Sequence, residues 1–500
     1  MTWEIAQPWR GPALTRVLVA VGIVALALAA VLTSHISTSL FILSEGLVVA
    51  LAALGSLRWP RALLVGVVLS PILDRFLVPD LLAGGAQPFA HLLPEALLAA
   101  VSTALLLQAA RRGRLWTAFR HPAFPLALLF VGLAGLSAVV NHVPVVQAVA
   151  GIAFTLDAVP IFFVARTVGF GTRQVVMAIG VLMGVVLAGA LVALSQALFT
   201  PDLFGLSPLQ GRFGELYRLA AFFRDPNTLA AFLSASIPFS LFAATRLPVQ
   251  RSRRIALAAA FVLLLALWLS FSRGGWLGAV GGFSISALVF DRRALRIGLL
   301  VMVASLVVAV VMPRNLACPD CAHRLDVFGS TFGRVDAIGS GRDLRTLFIA
   351  NAVPILRDHA LIGVGPGRYG GAAANIFGTP IYAQYGTDRL FTNPTQRTVD
   401  GFWLHIWIEG GTAGLLAFLG IIAATLRPVF RSARTAAGGT RIMLAGLAAA
   451  VIALSLNGLT TMLLEANSGA FLFWFMLGVG SQLAVAPMRA DARAGALAAC

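Results

Sequence analysis

Residues 255–290 read "IALAAAFVLLLALWLSFSRGGWLGAVGGFSISALVF", and this stretch decides the fold. Among its 36 residues, Arg273 is the only charged one. An arginine in hydrocarbon costs roughly 3 kcal/mol on insertion scales, so its presence needs a reason. The apolar runs on both sides of it are long enough to span a membrane, and Gly274 and Gly275 are expected to let the chain reverse. The stretch therefore predicts a helical hairpin with Arg273 at its tip.

The composition of the whole chain extends this prediction to an all-α, polytopic membrane protein. Hydrophobic residues make up 59% of the 500 residues and charged residues 11%, with a mean hydropathy of +0.89. Soluble domains carry about 25% charged residues. About 14 transmembrane helices are predicted, or 12 if pairs merge. The predicted spans are 17–33, 39–56, 61–78, 90–110, 123–141, 147–165, 174–199, 227–245, 255–272, 275–290, 296–312, 401–426, 442–462 and 468–487.

The arginines orient these spans. All 37 basic residues are arginines, and with a cytoplasmic N-terminus 23 of them lie on cytoplasmic connections. This bias follows the positive-inside rule. The scattered layout excludes a nucleic-acid-binding face despite the net charge of +17. The five arginines on short external connections are Arg75, Arg212, Arg218, Arg224 and Arg273.

Positive charge on the external face indicates an anionic ligand, because topology gives these arginines no reason to be there. Asp225 or Asn227 can cap the helix that follows, with its free N–H groups near Arg218 and Arg224. These groups could converge on a phosphate. Two alternatives stay open: an ordinary capped helix with solvated arginines, and a snorkelling Arg273 at a helix end.

The connection 313–400, called here the long connection, is the one sizeable extramembrane element, and its length predicts helices of its own. Its stretch 339–371 predicts an amphipathic helix followed by a glycine-proline loop, "GVGPGRYGG". No Gly-Lys-Ser/Thr follows, so the loop is interpreted as a tight turn packed against another backbone. Cys318 and Cys321 leave a local disulfide or two free thiols open. The predicted apolar side of the helix is Leu344, Leu347, Phe348, Val353, Ile355 and Leu356.

Several of these motifs, taken in order, resemble the O-antigen ligase/polymerase superfamily. They are "SRGGWLG", the "R…DPN" helix start before it, "GSGR…HALIGVGPGRY" in the long connection, and "DGFWLHIWIEGGTAGLLAFLG" at 400–420. The resemblance covers roughly 205–425. It implies a GT-C-like, metal-independent glycosyltransferase without a cofactor, acting on the periplasmic face of the bacterial inner membrane. The implied donor is a glycan on undecaprenyl diphosphate, and the acceptor is a glycan or a glycolipid.

The resemblance also assigns roles to residues. By position, Arg218 and Arg273 match the arginines that hold the donor diphosphate, and Arg224 is a third candidate, although the family usually has a small or polar residue there. Ligases carry a His-Asn pair at the start of the helix after the long connection, and the His is taken as the base. Here the pair is Asp400-Gly401, so Asp400 is the candidate catalytic base or a helix cap. The missing His favours a polymerase over a ligase.

Further polar residues are secondary candidates. Arg342 lies in the long connection, and His405 and Glu409 stand four apart on one helix face. Polar side chains buried in a membrane helix are usually functional or paired, and a structural His–Glu pair is expected here. Glu215 and Asp225 are alternative bases.

The sequence thus predicts a polymerase of lipid-linked repeat units of a surface polysaccharide, with a ligase to lipid A-core as the alternative. A flippase or transporter for the same lipid is a second class, but such proteins often show two-fold repeats that this sequence lacks. The expected partners are the donor, the acceptor, the bilayer and a chain-length regulator protein. Four regions are predicted: 1–200 N-terminal helices, 201–312 helices with arginine loops, 313–400 the long connection, and 401–500 C-terminal helices.

Overall fold

A computed structural model describes most of the chain, and nearly all of its elements are helices. The described residues are 38–77, 93–199, 209–210, 217–223, 225–311, 344–391, 397–465 and 467–498. Five residues discussed above lie outside these ranges: Glu215, Arg224, Cys318, Cys321 and Arg342. The first predicted span and Arg212 lie outside them as well.

The elements follow one another in this order: α1 (Thr38–Arg58), α2 (Pro60–Leu77), α3 (Leu93–Arg111), α4 (Leu115–Phe119), α5 (Ala123–Val140), α6 (Val145–Leu156), α7 (Val159–Val168), α8 (Thr172–Leu198), β1 (Leu209–Gln210), β2 (Tyr217–Arg218), α9 (Pro226–Arg246), α10 (Gln250–Leu269), α11 (Arg273–Phe290), α12 (Arg292–Val311), α13 (Leu344–Asp358), α14 (Ala372–Phe377), α15 (Pro380–Gln384), a 3-10 helix (Thr387–Leu390), α16 (Phe402–Thr435), α17 (Gly438–Asn457) and α18 (Asn467–Ala498). The strands β1 and β2 pair antiparallel.

Thirteen of the fourteen predicted spans fall on described residues, and helices occupy all thirteen positions. Within the described ranges, nine helices are long and apolar enough to cross a membrane, or ten if a bent pair is one span. The protein is therefore an all-α, multi-pass membrane protein. Three of the predicted spans within these ranges, at α1, α2 and α11, are not among these candidates.

The predicted span 147–165 is a bent pair of helices. The helices α6 and α7 meet there at 46°, and the break lies at Asp157 and Ala158. Pro160, in the first turn of α7, suits a new helix start, because a proline there loses no helical hydrogen bond.

The chain divides into two compact units, residues 1–108 and 109–500. In the first, α1 contacts α2, and the Gln108 side chain donates to the Leu57 carbonyl at 3.1 Å. In the second, α11 packs against α9 and α17, and α16 packs against α5, α17 and α18.

Small residues bring α11 close to α17. A Cβ on Gly278 or Gly282 would collide with backbone atoms of Ala453 or Ala449. Close backbone approach through small residues is the usual way that membrane helices gain packing energy. This packing fixes the N-terminal end of α11, where Arg273 lies.

The long connection has helices of its own, as predicted, and it also has a small hydrophobic core that Ile408 of α16 helps to form. Phe348, Ile355, Tyr369 and Tyr382 are buried in that core. The predicted apolar side of α13 is only partly right, because Val353 and Leu347 are exposed.

Candidate functional site

The chain reverses between α10 and α11 at Ser270–Ser272, and Arg273 is the first residue of α11. The predicted role of Gly274 and Gly275 in this reversal is wrong. Both are helical, and Phe271 instead takes the positive φ of 51°. The two glycines are needed for packing, since a Cβ on Gly274 would collide with Thr460 and Asn457.

The side chain of Arg218 lies against this turn. Its Nε donates to the Ser270 carbonyl at 3.2 Å, and its Nη2 donates to Asn227 Oδ1 at 2.9 Å. The Ser272 hydroxyl donates to the same Asn227 oxygen at 3.0 Å. Arg218 is therefore fixed at the turn just before α11, whose first residue is Arg273. We call residues 218, 227 and 270–273 the arginine turn.

Two helix starts meet the arginine turn. Asp225 caps α9 by accepting from the backbone N–H groups of Asn227 and Thr228, at 2.8 and 3.1 Å. This confirms Asp225 as the cap and occupies its carboxylate, which makes it a poor alternative base. Ser272 caps α11 by accepting from Gly275 N–H at 3.4 Å. Helix N-termini attract anions, so their position suits a phosphate group.

A second turn, residues 457–461, joins the arginine turn to the start of α16. Gly274 lies directly against Asn457 and Thr460. On the other side, Phe402 N–H donates to the carbonyls of Gly458 and Thr461 at 2.8 and 3.1 Å. Gly274, which follows Arg273, and Phe402, two residues after Asp400, therefore contact one five-residue turn. Sequence reasoning missed this turn, and its only local signal is a run of polar residues at the end of a predicted span.

Asp400 is half-exposed, with 52% of its side chain accessible. Its carboxylate lies 3.4 Å from Arg345 Nε. The interpretation of Asp400 as a helix cap is wrong, because the N-cap of α16 is Gly401, at a φ of 136° that favours glycine. The carboxylate is thus held by an ion pair on the surface rather than by the helix.

A buried trio lies deeper on the same helix. His405 and Glu409, in α16, are joined by Glu465, which follows α17. Glu409 Oε1 lies 3.7 Å from His405 Nδ1, and Glu465 Oε2 lies 3.6 Å from His405 Nε2. The predicted His–Glu pair is present, but Glu465 was missed because nothing in the local pattern links it to α16.

The trio holds the backbone of the glycine-proline loop. Glu409 accepts from Gly367 and Tyr369 N–H at 2.8 and 2.7 Å. Glu465 accepts from Ala372 N–H at 2.7 Å. His405 Nδ1 lies 2.5 Å from the Tyr369 carbonyl, so this nitrogen carries the proton. The three side chains therefore satisfy four backbone groups of one loop.

The same loop packs against a break in α16. Gly411 has non-helical φ and ψ there, and its neighbours Thr412 and Ala413 donate to the carbonyls of Ala360 and Leu361. A Cβ on Gly363 would collide with the Glu409 carbonyl. The predicted tight turn against another backbone is confirmed.

The loop in turn positions the segment before Asp400. Gly370 N–H donates to the Tyr382 hydroxyl at 2.9 Å, and that hydroxyl donates to the Arg397 carbonyl at 3.0 Å. Val399 N–H donates to the Gly370 carbonyl at 3.1 Å. Burial raises the pKa of Tyr382, which keeps this hydroxyl protonated as a donor. The buried trio is thus linked to Asp400 through one loop.

No group of three His, Cys, Asp or Glu side chains in the described ranges could hold a metal ion. The site is instead built from arginine, carboxylate and helix N-termini. This set of groups can bind an anion and accept a proton.

Residues 258–419 match the family model described as O-antigen ligase, so the chain carries an O-antigen ligase family domain. The domain contains Arg273, Asp400, His405 and Glu409, whereas Arg218 lies before it. No curated protein matches the chain. The resemblance seen in the sequence is confirmed for this domain.

Proposed function

We propose that the protein transfers a glycan from undecaprenyl diphosphate to an acceptor hydroxyl, polymerising lipid-linked repeat units of a surface polysaccharide. The observation that carries the proposal is the arginine turn, where Arg218 is bonded to the turn that leads into Arg273. Phe402, two residues after Asp400, bonds to the 457–461 turn that Gly274 also contacts. The segment with the anion site and the segment with the carboxylate thus meet at one short turn, which suits a transfer from a diphosphate.

The donor diphosphate is the leaving group of this reaction. The acceptor oxygen forms a bond to the anomeric carbon, the bond from that carbon to the phosphate oxygen breaks, and the diphosphate leaves with the bonding electrons. Arg218, Arg273 and the N-terminal end of α11 stabilise the charge that develops on it. Guanidinium groups suit this task because they remain charged and bind phosphate oxygens in pairs.

Asp400 takes the proton from the acceptor hydroxyl. Its half-exposed carboxylate is accessible to a second substrate, unlike the buried Glu409 and Glu465. The ion pair with Arg345 holds this carboxylate in place. The buried trio positions this segment and does not touch the substrates.

The active site is proposed to face the periplasm, with the protein in the inner membrane and its N-terminus in the cytoplasm. The arginine bias of the connections supports this orientation. A chain-length regulator protein remains a proposed partner.

Polymerase and ligase differ in the acceptor, and the Asp400-Gly401 pair in place of His-Asn favours the polymerase. The test is reconstitution of the purified protein in liposomes with lipid-linked repeat units, with and without lipid A-core. A ladder of lipid-linked polymers without lipid A-core is expected. A product that forms only with lipid A-core would show a ligase. Movement of the lipid across the bilayer without a new glycosidic bond would overturn the proposal in favour of a flippase.

A further inference from the structure

The helix α13 has two apolar faces, although a helix in an aqueous extramembrane element needs only one. Its inner face, with Phe348, Ala352 and Ile355, is buried in the core of the long connection. Its outer face carries Ile349 and Val353, which are 58% and 51% exposed. A soluble element usually has charged residues on such a face.

The outer face is a continuous stripe. Ala350 and Pro354, which directly follow Ile349 and Val353, are also exposed. The four residues lie at helical spacing on one side of α13. Leu361, three residues after the end of α13, extends it and is 70% exposed. We call Ile349, Ala350, Val353, Pro354 and Leu361 the outer stripe.

The outer stripe joins a surface that faces lipid. The Leu361 carbonyl accepts from Ala413 N–H of α16 at 3.1 Å. One turn further along α16, Leu416 and Leu419 are exposed on a helix that is a candidate membrane span. The exposed apolar surface of α16 therefore continues onto the long connection at Leu361.

The length of α16 shows where the membrane boundary crosses it. The helix breaks at Gly411, and the part from Gly411 to Arg427, the first arginine near its C-terminal end, measures about 24 Å at about 1.5 Å per residue, against ~30 Å for the hydrocarbon layer. The other membrane boundary therefore falls near the break, about one helical turn from Trp407. Trp407 is partly exposed, and tryptophans are enriched at membrane boundaries. Leu361, bonded at Ala413, lies at or just inside this boundary.

A second junction of the long connection with a spanning helix lies at α14. The Gln147 side chain of α6 donates to the carbonyls of Gly367 and Gly378, at 2.7 and 2.9 Å. Next to Gly378, Ile376 and Phe377 are exposed. Apolar side chains of the long connection are therefore exposed at both of these junctions.

We propose that α13 is an interfacial helix whose outer stripe lies among the lipid acyl chains of the leaflet nearest Asp400. Burial of such a face at the headgroup boundary is how amphipathic helices bind membranes. Arg357, exposed at the end of α13, suits the phosphates of lipid headgroups. Because Arg345 of the same helix pairs with Asp400, α13 also ties the proposed base to the membrane surface.

The experiment measures lipid exposure directly, with spin labels in liposomes of phosphatidylethanolamine and phosphatidylglycerol. The three cysteines are first replaced by serine, and single cysteines are introduced as Ile349→Cys, Val353→Cys and Leu361→Cys. Leu416→Cys is the lipid-facing control, and Ala383→Cys, exposed on α15, is the water-facing control. Collisions with oxygen report lipid, and collisions with a water-soluble nickel chelate report water.

We expect the ratio of oxygen to nickel accessibility at Ile349, Val353 and Leu361 to be several times that at Ala383, approaching the ratio at Leu416. A ratio equal to that at Ala383 would overturn the proposal. Low accessibility to both reagents would also overturn it, since a protein surface would then cover the stripe. If the cysteine-free chain does not assemble, a photo-crosslinking benzoylphenylalanine at Ile349 in the otherwise unchanged chain should capture phospholipid, and its failure to do so would contradict the proposal. No glycan enters these measurements, so their failure is separate from failure of the proposed function.

Discussion

Two acidic residues near the start of α16, Asp400 and Glu409, have opposite surroundings. Asp400 is half-exposed and has one ion pair, to Arg345. Glu409 is buried and accepts two backbone hydrogen bonds. A carboxylate whose oxygens are committed to the backbone stabilises a loop, whereas one open to solvent can exchange a proton with a substrate. Within ten residues, one carboxylate is thus suited to catalysis and the other holds a loop in place.

The largest expected effect is on activity at Asp400. Asp400→Asn removes the proposed base, and general bases contribute about 100-fold or more to rate. We expect turnover to fall by about that factor. The midpoint of thermal unfolding should stay close to the wild-type value, because a partly exposed ion pair contributes about 1 kcal/mol or less.

The control for this variant is Asp388→Asn, which changes an exposed acid of the long connection. Its turnover should match the wild type. Full activity of Asp400→Asn would show that this carboxylate takes no part in catalysis.

The next effect is on stability at Glu409. Glu409→Ala leaves the N–H groups of Gly367 and Tyr369 buried without an acceptor, at a cost of about 1–3 kcal/mol each. We expect a clearly lower unfolding midpoint in detergent. Glu409→Gln keeps one accepting oxygen, so its unfolding midpoint should lie between those of the wild type and Glu409→Ala. An unchanged midpoint for the alanine variant would contradict the scaffold role.

The smallest expected effect is a difference in stability between the alanine variants of two glycines with almost the same φ. Gly363 and Gly386 have φ values of 72° and 70°. An added Cβ at Gly386 meets nothing within 4 Å, whereas at Gly363 it meets the Glu409 carbonyl. Gly386→Ala should therefore lower the free energy of unfolding only by the cost of a left-handed backbone, about 1 kcal/mol. Gly363→Ala should lower it by more. Equal midpoints would show that the loop does not need its close approach to α16.

The sequence was sufficient for features that depend on local pattern. Apolar runs located the helices at thirteen predicted spans, and Asp225, whose hydrogen bonds reach only two and three residues along the chain, was one of two residues offered as the cap of α9. The loop at Gly363 was interpreted correctly as a tight turn against another backbone.

The remaining features depend on contacts between distant segments. Glu465 joins His405 across 60 residues, and Asn227 joins Arg218 to Ser272. No periodicity encodes such pairs. The glycines after Arg273 were given the wrong role because a turn and a close helix contact require the same residue type.

The most direct test of the account is the binding of undecaprenyl diphosphate, without glycan, to the purified protein. Arg273→Ala is compared with the wild type and with Arg296→Ala, which removes an exposed arginine of α12. Loss of a charged hydrogen bond costs about 1.5–3 kcal/mol, so we predict that Arg273→Ala weakens binding by about tenfold or more and that Arg296→Ala does not. Equal affinity of Arg273→Ala and the wild type would contradict the diphosphate site at the arginine turn.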